Sequence, residues 1–357
     1  VMKFFAGLDQ GTTLTTAVIT DENCKLLAKA SRPHHNIYPH PGWVEQDAEE
    51  IFNNCLGAIS DAIAKIPGAK TEDIIGIGLD HQGETCLVWE AATGMPIYNQ
   101  IVWQDRRTSK DADRLCEQYG DYILEVAGVT ADAYYSATKL AWILDNVPGA
   151  RERYNRGELR LGTFNTWFHY RLTGGEIYVT DPGSASCMML TNLATSKWDK
   201  KLLDMFGLRE ELMPRIINSI ELYGYTKPEC FLGARAAIGG ALEDSSAGII
   251  GCGCVGEGIL KTSYGTGSFM SLQTGSTLIP SKPDLFSNCL WMKDDMPWYR
   301  LRASSYICGS AIEWLQKGLN IIDNPAQSEE LALSVPDSND VYFVPAFAGL
   351  ATPFWDQ

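Results

Sequence analysis

Two short turns of glycine and threonine, each set between apolar strands, constrain this chain most. The first is Gln10-Gly11-Thr12-Thr13, between Phe4-Phe5-Ala6-Gly7-Leu8 and Thr16-Ala17-Val18-Ile19-Thr20. The second is Tyr264-Gly265-Thr266-Gly267, between Ile259-Leu260-Lys261-Thr262-Ser263 and Ser268-Phe269-Met270-Ser271-Leu272. Glycine lets backbone approach a ligand closely, and successive N–H groups in such a turn form a nest for an anion. Two facing turns of this kind are what a nucleotide clamp between duplicated halves requires. Taken singly, each also reads as an ordinary hairpin.

The rest of the chain reads as α/β. A third strand covers Lys25 to Ala30. A helix starts at Asp47, where Asp47 and Glu50 have capping-box spacing and Ile51, Cys55, Ile59 and Ile63 recur every four residues. Further strands are predicted at Ile74–Asp80, Cys86–Trp89, Ile101–Trp103, Trp298–Ala303 and Val341–Phe347. Helices are predicted around Ser109–Glu117, Thr138–Asn146, Thr166–Leu172, Lys200–Phe206 and Ser310–Lys317. With 357 residues the expectation is two domains, divided near residue 255. The first, 1–255, holds sugar and the first phosphate turn; the second, 256–357, opens on the second turn.

Composition narrows the partners. A net charge of −15 disfavours nucleic acid and anionic membrane. An anionic ligand such as a nucleotide then needs local help from turn N–H groups or a metal ion. Ten scattered cysteines form no disulfide framework or zinc pattern, and Cys252-Gly253-Cys254 reads as a helix end. Together with the lack of a signal-peptide layout and of an apolar run of roughly 18 residues, this predicts a cytoplasmic chain. A homodimer is also expected.

Three clusters carry groups suited to chemistry. Asp9, at the end of a buried strand, is placed to hold Mg²⁺. Asp244 follows Gly239-Gly240-Ala241-Leu242-Glu243, where a strand meets a helix; it reads as a helix cap or as a general base for a sugar hydroxyl, with Glu243 as competitor. Gln82, Glu84, Trp103, Asp105 and Arg106 supply the hydrogen-bonding and aromatic groups that a polyol needs, or else surface charge and a core Trp. His81 reads as a structural, hydrogen-bonded residue.

In order and spacing these motifs resemble the glycerol kinase branch of the FGGY carbohydrate kinases. The resemblance adds Pro41-Gly42-Trp43-Val44-Glu45-Gln46-Asp47, Thr180-Asp181 with Ser184-Ala185-Ser186, and Pro345-Ala346-Phe347-Ala348-Gly349-Leu350 with Pro353-Phe354-Trp355-Asp356. It implies an actin-like ATPase fold of two ribonuclease H-like halves around a cleft, and ATP-dependent phosphorylation of a polyol or ketose hydroxyl. Asp244 is then the catalytic base and, with Asp9, a metal-side carboxylate. Gln10, Gly11, Thr12, Thr13, Gly265, Thr266, Gly267 and Gly309 surround ATP. Gln82, Glu84, Trp103, Asp105, Tyr134, Asp244, Ser245 and Phe269 surround the sugar. The competing reading is a non-catalytic module of the same fold that binds a polyol or a partner.

Two departures shape further expectations. Glycerol kinases carry Arg at the position of Gly83 and Gln at that of Ser245. A roomier pocket with one charge fewer is therefore expected, and a substrate larger than glycerol. The family also continues beyond Trp355-Asp356-Gln357, so an incomplete second half with poor ATP affinity and a chance of inactivity are expected.

Overall fold

The structure, a computed structural model, describes residues 3–265, 267–282, 285–305, 307–346, 350 and 352. Strands β1 (Phe4–Gln10) and β2 (Leu14–Thr20) pair antiparallel, with Asp9 opposite Thr16. Strand β3 (Leu26–Pro33) adds to β2. Helix α1 (Ala48–Ile63) then crosses this sheet. Asp47 caps it, accepting hydrogen bonds from the N–H groups of Glu49 and Glu50. Ile51, Cys55, Ile59 and Ile63 are all buried. At roughly 1.5–3 kcal/mol per fully buried large aliphatic side chain, that stripe outweighs helix propensity in holding α1 down.

Strand β4 (Ile74–His81) runs parallel to β1 and puts Asp80 beside Asp9. Strand β5 (Cys86–Glu90), helices α2 (Ser109–Ala127) and α3 (Ser136–Asn146), and strand β6 (Leu159–Thr163) follow. Helix α4 (Phe164–Leu172) is buried almost all round, with Trp167 and Phe168 packed against Phe52 of α1 and Phe164 against Trp167. The short helix α5 (Pro182–Ser186) is capped by the buried Asp181. Strands β7 (Gly224–Tyr225) and β8 (Ala237–Glu243) complete a six-stranded sheet in the order β7-β8-β4-β1-β2-β3. Because β1, β4 and β8 are mutually parallel, their carboxyl ends share one edge, where α/β proteins place ligands.

Helix α6 (Asp244–Gly251) leaves β8 at that edge. Its cap is Glu243, whose carboxylate accepts from the Ser245 N–H, so the capping role considered for Asp244 falls to its neighbour. A second, antiparallel sheet has the order β9-β10-β12-β11: β9 (Leu260–Tyr264), β10 (Ser268–Gly275), β11 (Phe286–Lys293) and β12 (Met296–Ser305). Strand β11 docks on α5. A Cβ on Gly183 would meet the Leu290 carbonyl at 2.9 Å, so only glycine allows this approach. Ser219 fastens the joint, donating its N–H to the Met292 carbonyl and its hydroxyl to Asp181.

Several boundaries differ from expectation. The strand expected at Ile101–Trp103 is Gln100–Ile101 only. Strands β6 and β11 are not in the sequence reading; polar residues interrupt both apolar patterns, Arg160 in β6 and Ser287 and Asn288 in β11. Helix α7 (Gly309–Glu313) passes into a π turn over Trp314–Gly318. Residues 341–346 form no strand, and the motif residues Phe347, Pro353, Phe354, Trp355 and Asp356 lie outside the described residues. All ten cysteines are free. Among the described residues no helix is long and apolar enough to cross a membrane.

Candidate active site

The site grows from the shared sheet edge. Asp9 ends β1, Asp80 ends β4, and Glu243 and Asp244 join β8 to α6. Like charges gathered there disfavour ionisation. Burial, then Asp9, push the Asp80 carboxyl up to about 8. Asp244 opens onto the cleft, yet low-dielectric surroundings, then Glu243 and Glu84, push it up to about 7. Glu243 goes the other way: burial opposes its charge, but Arg300 and Arg302 overcome that and hold it at about 2.

One oxygen of Asp80 is buried without a hydrogen-bond partner. An orphaned carboxylate oxygen beside two more carboxylates suits a hard divalent cation. Among the described residues no three side chains are arranged to hold a metal alone. Mg²⁺ is commonly held by one or two carboxylates, with water and phosphate oxygens supplying the rest.

This crowding has a measurable consequence. A carboxyl whose folded value is raised contributes stability that is full below its ordinary value of 3.8 and is lost as pH rises through about 8. Asp80→Asn removes that loss. In chelator, the thermal stability of the variant should gain on the parent steadily across this interval, by several degrees at its upper end. Added Mg²⁺ should narrow the gap. A gap independent of pH would show that Asp80 is not crowded.

The first Gly/Thr turn is braced from behind. Its carbonyls are occupied: Gly11 O by the Gln10 amide and the His34 ring, Thr12 O by Gln46, Thr13 O by the His34 N–H. The N–H groups of Thr12 and Thr13 bond no described residue, which leaves them available as an anion nest requires. Gly11 sits tightly, since a Cβ there would meet Leu14 O at 3.2 Å. Gln10 itself is fully buried and braces the turn. In the second turn Gly265 donates to Gly267 O, and Gly309 donates to Gly265 O, which joins the three. Thr266 lies outside the described residues.

On the acceptor side the structure gathers Glu84, Tyr134, Ser245 and Asp244, and ties Trp103 to the first turn through an indole bond to the Thr12 hydroxyl (3.0 Å). Gln82 is buried and donates to Gln46 (2.8 Å), with its own carbonyl oxygen unpartnered. Phe269 is half exposed on β10. His81 bonds the Ser184 hydroxyl (2.9 Å) and, buried, falls to about 4, as a structural histidine does.

Asp105 needs correction as a sugar ligand. It is fully buried, and its oxygens accept from Arg107 and from the Val44 N–H (2.7 Å). It anchors an ion network with Glu45 instead. Arg106 pairs with Asp132 (2.6 Å) at the surface.

The expected loss of charge also needs correction. Arg300 donates to Ser245 (2.8 Å) and to Glu243, and Arg302 stands 3.9 Å from Glu84. Both come from β12 across the cleft. The alternation Tyr299-Arg300-Leu301-Arg302 is the signal that would have found them, because residues two apart on a strand share a face. Asp80 had a signal too: Gly78-Leu79-Asp80 repeats Gly7-Leu8-Asp9, and the two triplets pair in register.

Comparison with known proteins identifies the family. Residues 4–251 match the N-terminal domain, and residues 260–357 the C-terminal domain, of the FGGY family of carbohydrate kinases. Glycerol kinase 2 of Thermotoga maritima is 42% identical over 357 residues, covering 100% of this chain and 72% of that protein. The glycerol kinase of Caldanaerobacter subterraneus is 45% identical over 356 residues, 99% of this chain and 71% of its own. Among solved structures, Plasmodium falciparum glycerol kinase with ADP superposes with a TM-score of 0.92 at 29% identity, covering 99% of this chain and 71% of that one. A ligand-bound xylulose kinase from Lactobacillus acidophilus shares the fold, with a TM-score of 0.86 at 22% identity and the same coverage.

Proposed function

The chain belongs to the FGGY family of carbohydrate kinases, and on that premise we propose that it transfers the γ-phosphoryl group of ATP to a hydroxyl of a small neutral polyol. The kinase activity follows from family membership and from relatives named glycerol kinase at 42–45% identity. The proposal concerns the residues. Asp244 takes the hydroxyl proton as the new P–O bond forms. Asp9, with Asp80 beside it, would hold Mg²⁺, which when bound shields the phosphate charge. The N–H groups of Thr12 and Thr13, with the turn at Gly265 and Gly267, cradle phosphate oxygens. We further place the division between sugar and nucleotide halves near residue 255.

The observation that carries this reading is the convergence of Asp9, Asp80 and Asp244 at the ends of parallel strands, beside a turn in which the N–H groups of Thr12 and Thr13 are taken by no described residue. A hydroxyl is a poor nucleophile, and a carboxylate held near neutrality is matched to accept its proton at physiological pH.

A coupled ADP-release assay over glycerol, longer polyols and ketoses tests it. ADP formation should need a polyol and follow saturation in it. ATP hydrolysis indifferent to every polyol would overturn the reading. The expectation of a substrate larger than glycerol rested on an emptied pocket; with Arg300 and Arg302 filling that side, glycerol belongs in the panel on equal terms.

A further inference from the structure

Strand β12 sends two arginines across the cleft, and they differ in one respect. Arg300 is committed at both terminal nitrogens, although its Nε finds no partner. It is 1% exposed and bonds both Ser245 and Glu243, so it closes β12 onto the β8–α6 junction. Arg302, two residues on and on the same face, makes no hydrogen bond with a described residue. Its nearest acceptor is Glu84, with Nη1 to Oε1 at 3.9 Å, too far for a hydrogen bond. Its side chain is 23% exposed. Glu84, Glu243, Tyr134 and Tyr135 surround it. A guanidinium carries five N–H donors in a fixed fork, and none of those of Arg302 is taken by a described residue.

The position opposite explains why the donor comes from β12. Residue 83 precedes Glu84, yet it is glycine. A Cβ there would stand 3.1 Å from both the Cys187 sulfur and the Glu243 Cβ, so a side chain at 83 would press on the residue that receives Arg300. A donor from that side would need these neighbours to give way, whereas one from across the cleft does not.

We propose that Arg302 is a specificity-determining residue, whose guanidinium donates to two neighbouring hydroxyl oxygens of a polyol held between it and Glu84. A rigid fork spans two oxygens at once, which a vicinal diol presents and a single hydroxyl does not. Glu84 accepts from the same hydroxyls on the other side. The acceptor is neutral, not a sugar acid. Glu243 already matches Arg300, and Glu84 faces Arg302 and Lys139, so no cation is left over to receive a carboxylate on the ligand. This rests on the kinase reading only for the reaction that follows binding.

The test compares the parent with Arg302→Lys, which keeps the charge and loses the fork. Calorimetric affinity for the preferred polyol should fall about ten- to a hundredfold, the loss expected for one charged hydrogen bond. KM for ATP should stay within about twofold, because the lost contact touches only the acceptor. In the parent, an acceptor with one of the two hydroxyls replaced by hydrogen should bind more weakly, and Arg302→Lys should then cost little more. That cycle reads the contact even if the variant melts earlier. Equal polyol affinity in the parent and Arg302→Lys would overturn the proposal, because Arg302 would then serve only to neutralise Glu84. Weakened binding in the variant with no turnover in either protein would support the proposal while defeating the kinase reading.

Discussion

Asp244→Asn should lower kcat for polyol phosphorylation by a factor of about 10²–10⁴, the range that a positioned general base contributes. KM for the polyol should change little, since asparagine keeps the shape and can still bond a hydroxyl. Stability should not fall. The native carboxyl is held up at about 7 by its surroundings and by Glu243 and Glu84, so replacing it relieves repulsion at neutral pH. Lost turnover in a variant that melts no earlier than the parent separates a chemical role from a structural one. Coupled ADP release and a thermal melt give both numbers. A variant with near-parent kcat would move the base elsewhere, and Glu243 is a poor substitute: Arg300, Ser246 and the Ser245 N–H already occupy it.

Arg107→Ala should be the most destabilising single change in the first half of the chain, at about 3–5 kcal/mol, the cost of leaving a buried ion pair half broken. The Arg107 side chain is 0% exposed and binds Asp105 (2.8 Å) and Glu45 (2.7 Å), themselves buried. Trp43 covers one side of the guanidinium at 3.8 Å, and Trp142 lies at 4.5 Å. Without the arginine, two carboxylates share a dry site with no cation bonded to either, Lys139 acting on Asp105 only from a distance. Arg107→Lys should cost less, because charge survives although the fork and the aromatic stacking do not. Urea unfolding midpoints would rank the three proteins. A loss below about 1 kcal/mol, the scale of an exposed ion pair, would mean that the network is solvated.

The architecture was largely legible in the residues, and the reasons are local. Asp47 with Glu50 and the four-residue apolar repeat marked α1. The Gly/Thr turns marked the hairpin at β1–β2 and the start of the second sheet. Family motifs then ordered the rest. What stayed hidden depends on tertiary placement. Asp105 looks like a sugar ligand in sequence, and only the fold shows Arg107 folding back onto it. The pairing of Asp9 with Asp80 needs the parallel register of β1 and β4, although the repeated Gly-Leu-Asp hinted at it. Gly83 and Ser245 looked like lost contacts. Sequence separation concealed that Arg300 and Arg302, more than fifty residues beyond Ser245, return to the same pocket.

Phosphorus NMR of the complete reaction tests the central claim most directly. Protein, Mg²⁺, ATP and the preferred polyol should yield ADP and a polyol phosphate ester in equal amounts, with no inorganic phosphate beyond background. Asp244→Asn should suppress the ester. ADP accompanied by inorganic phosphate, at a rate that polyol does not change, would contradict the account: the cleft would then deliver phosphate to water, and the carboxylates at its edge would not be serving a sugar hydroxyl.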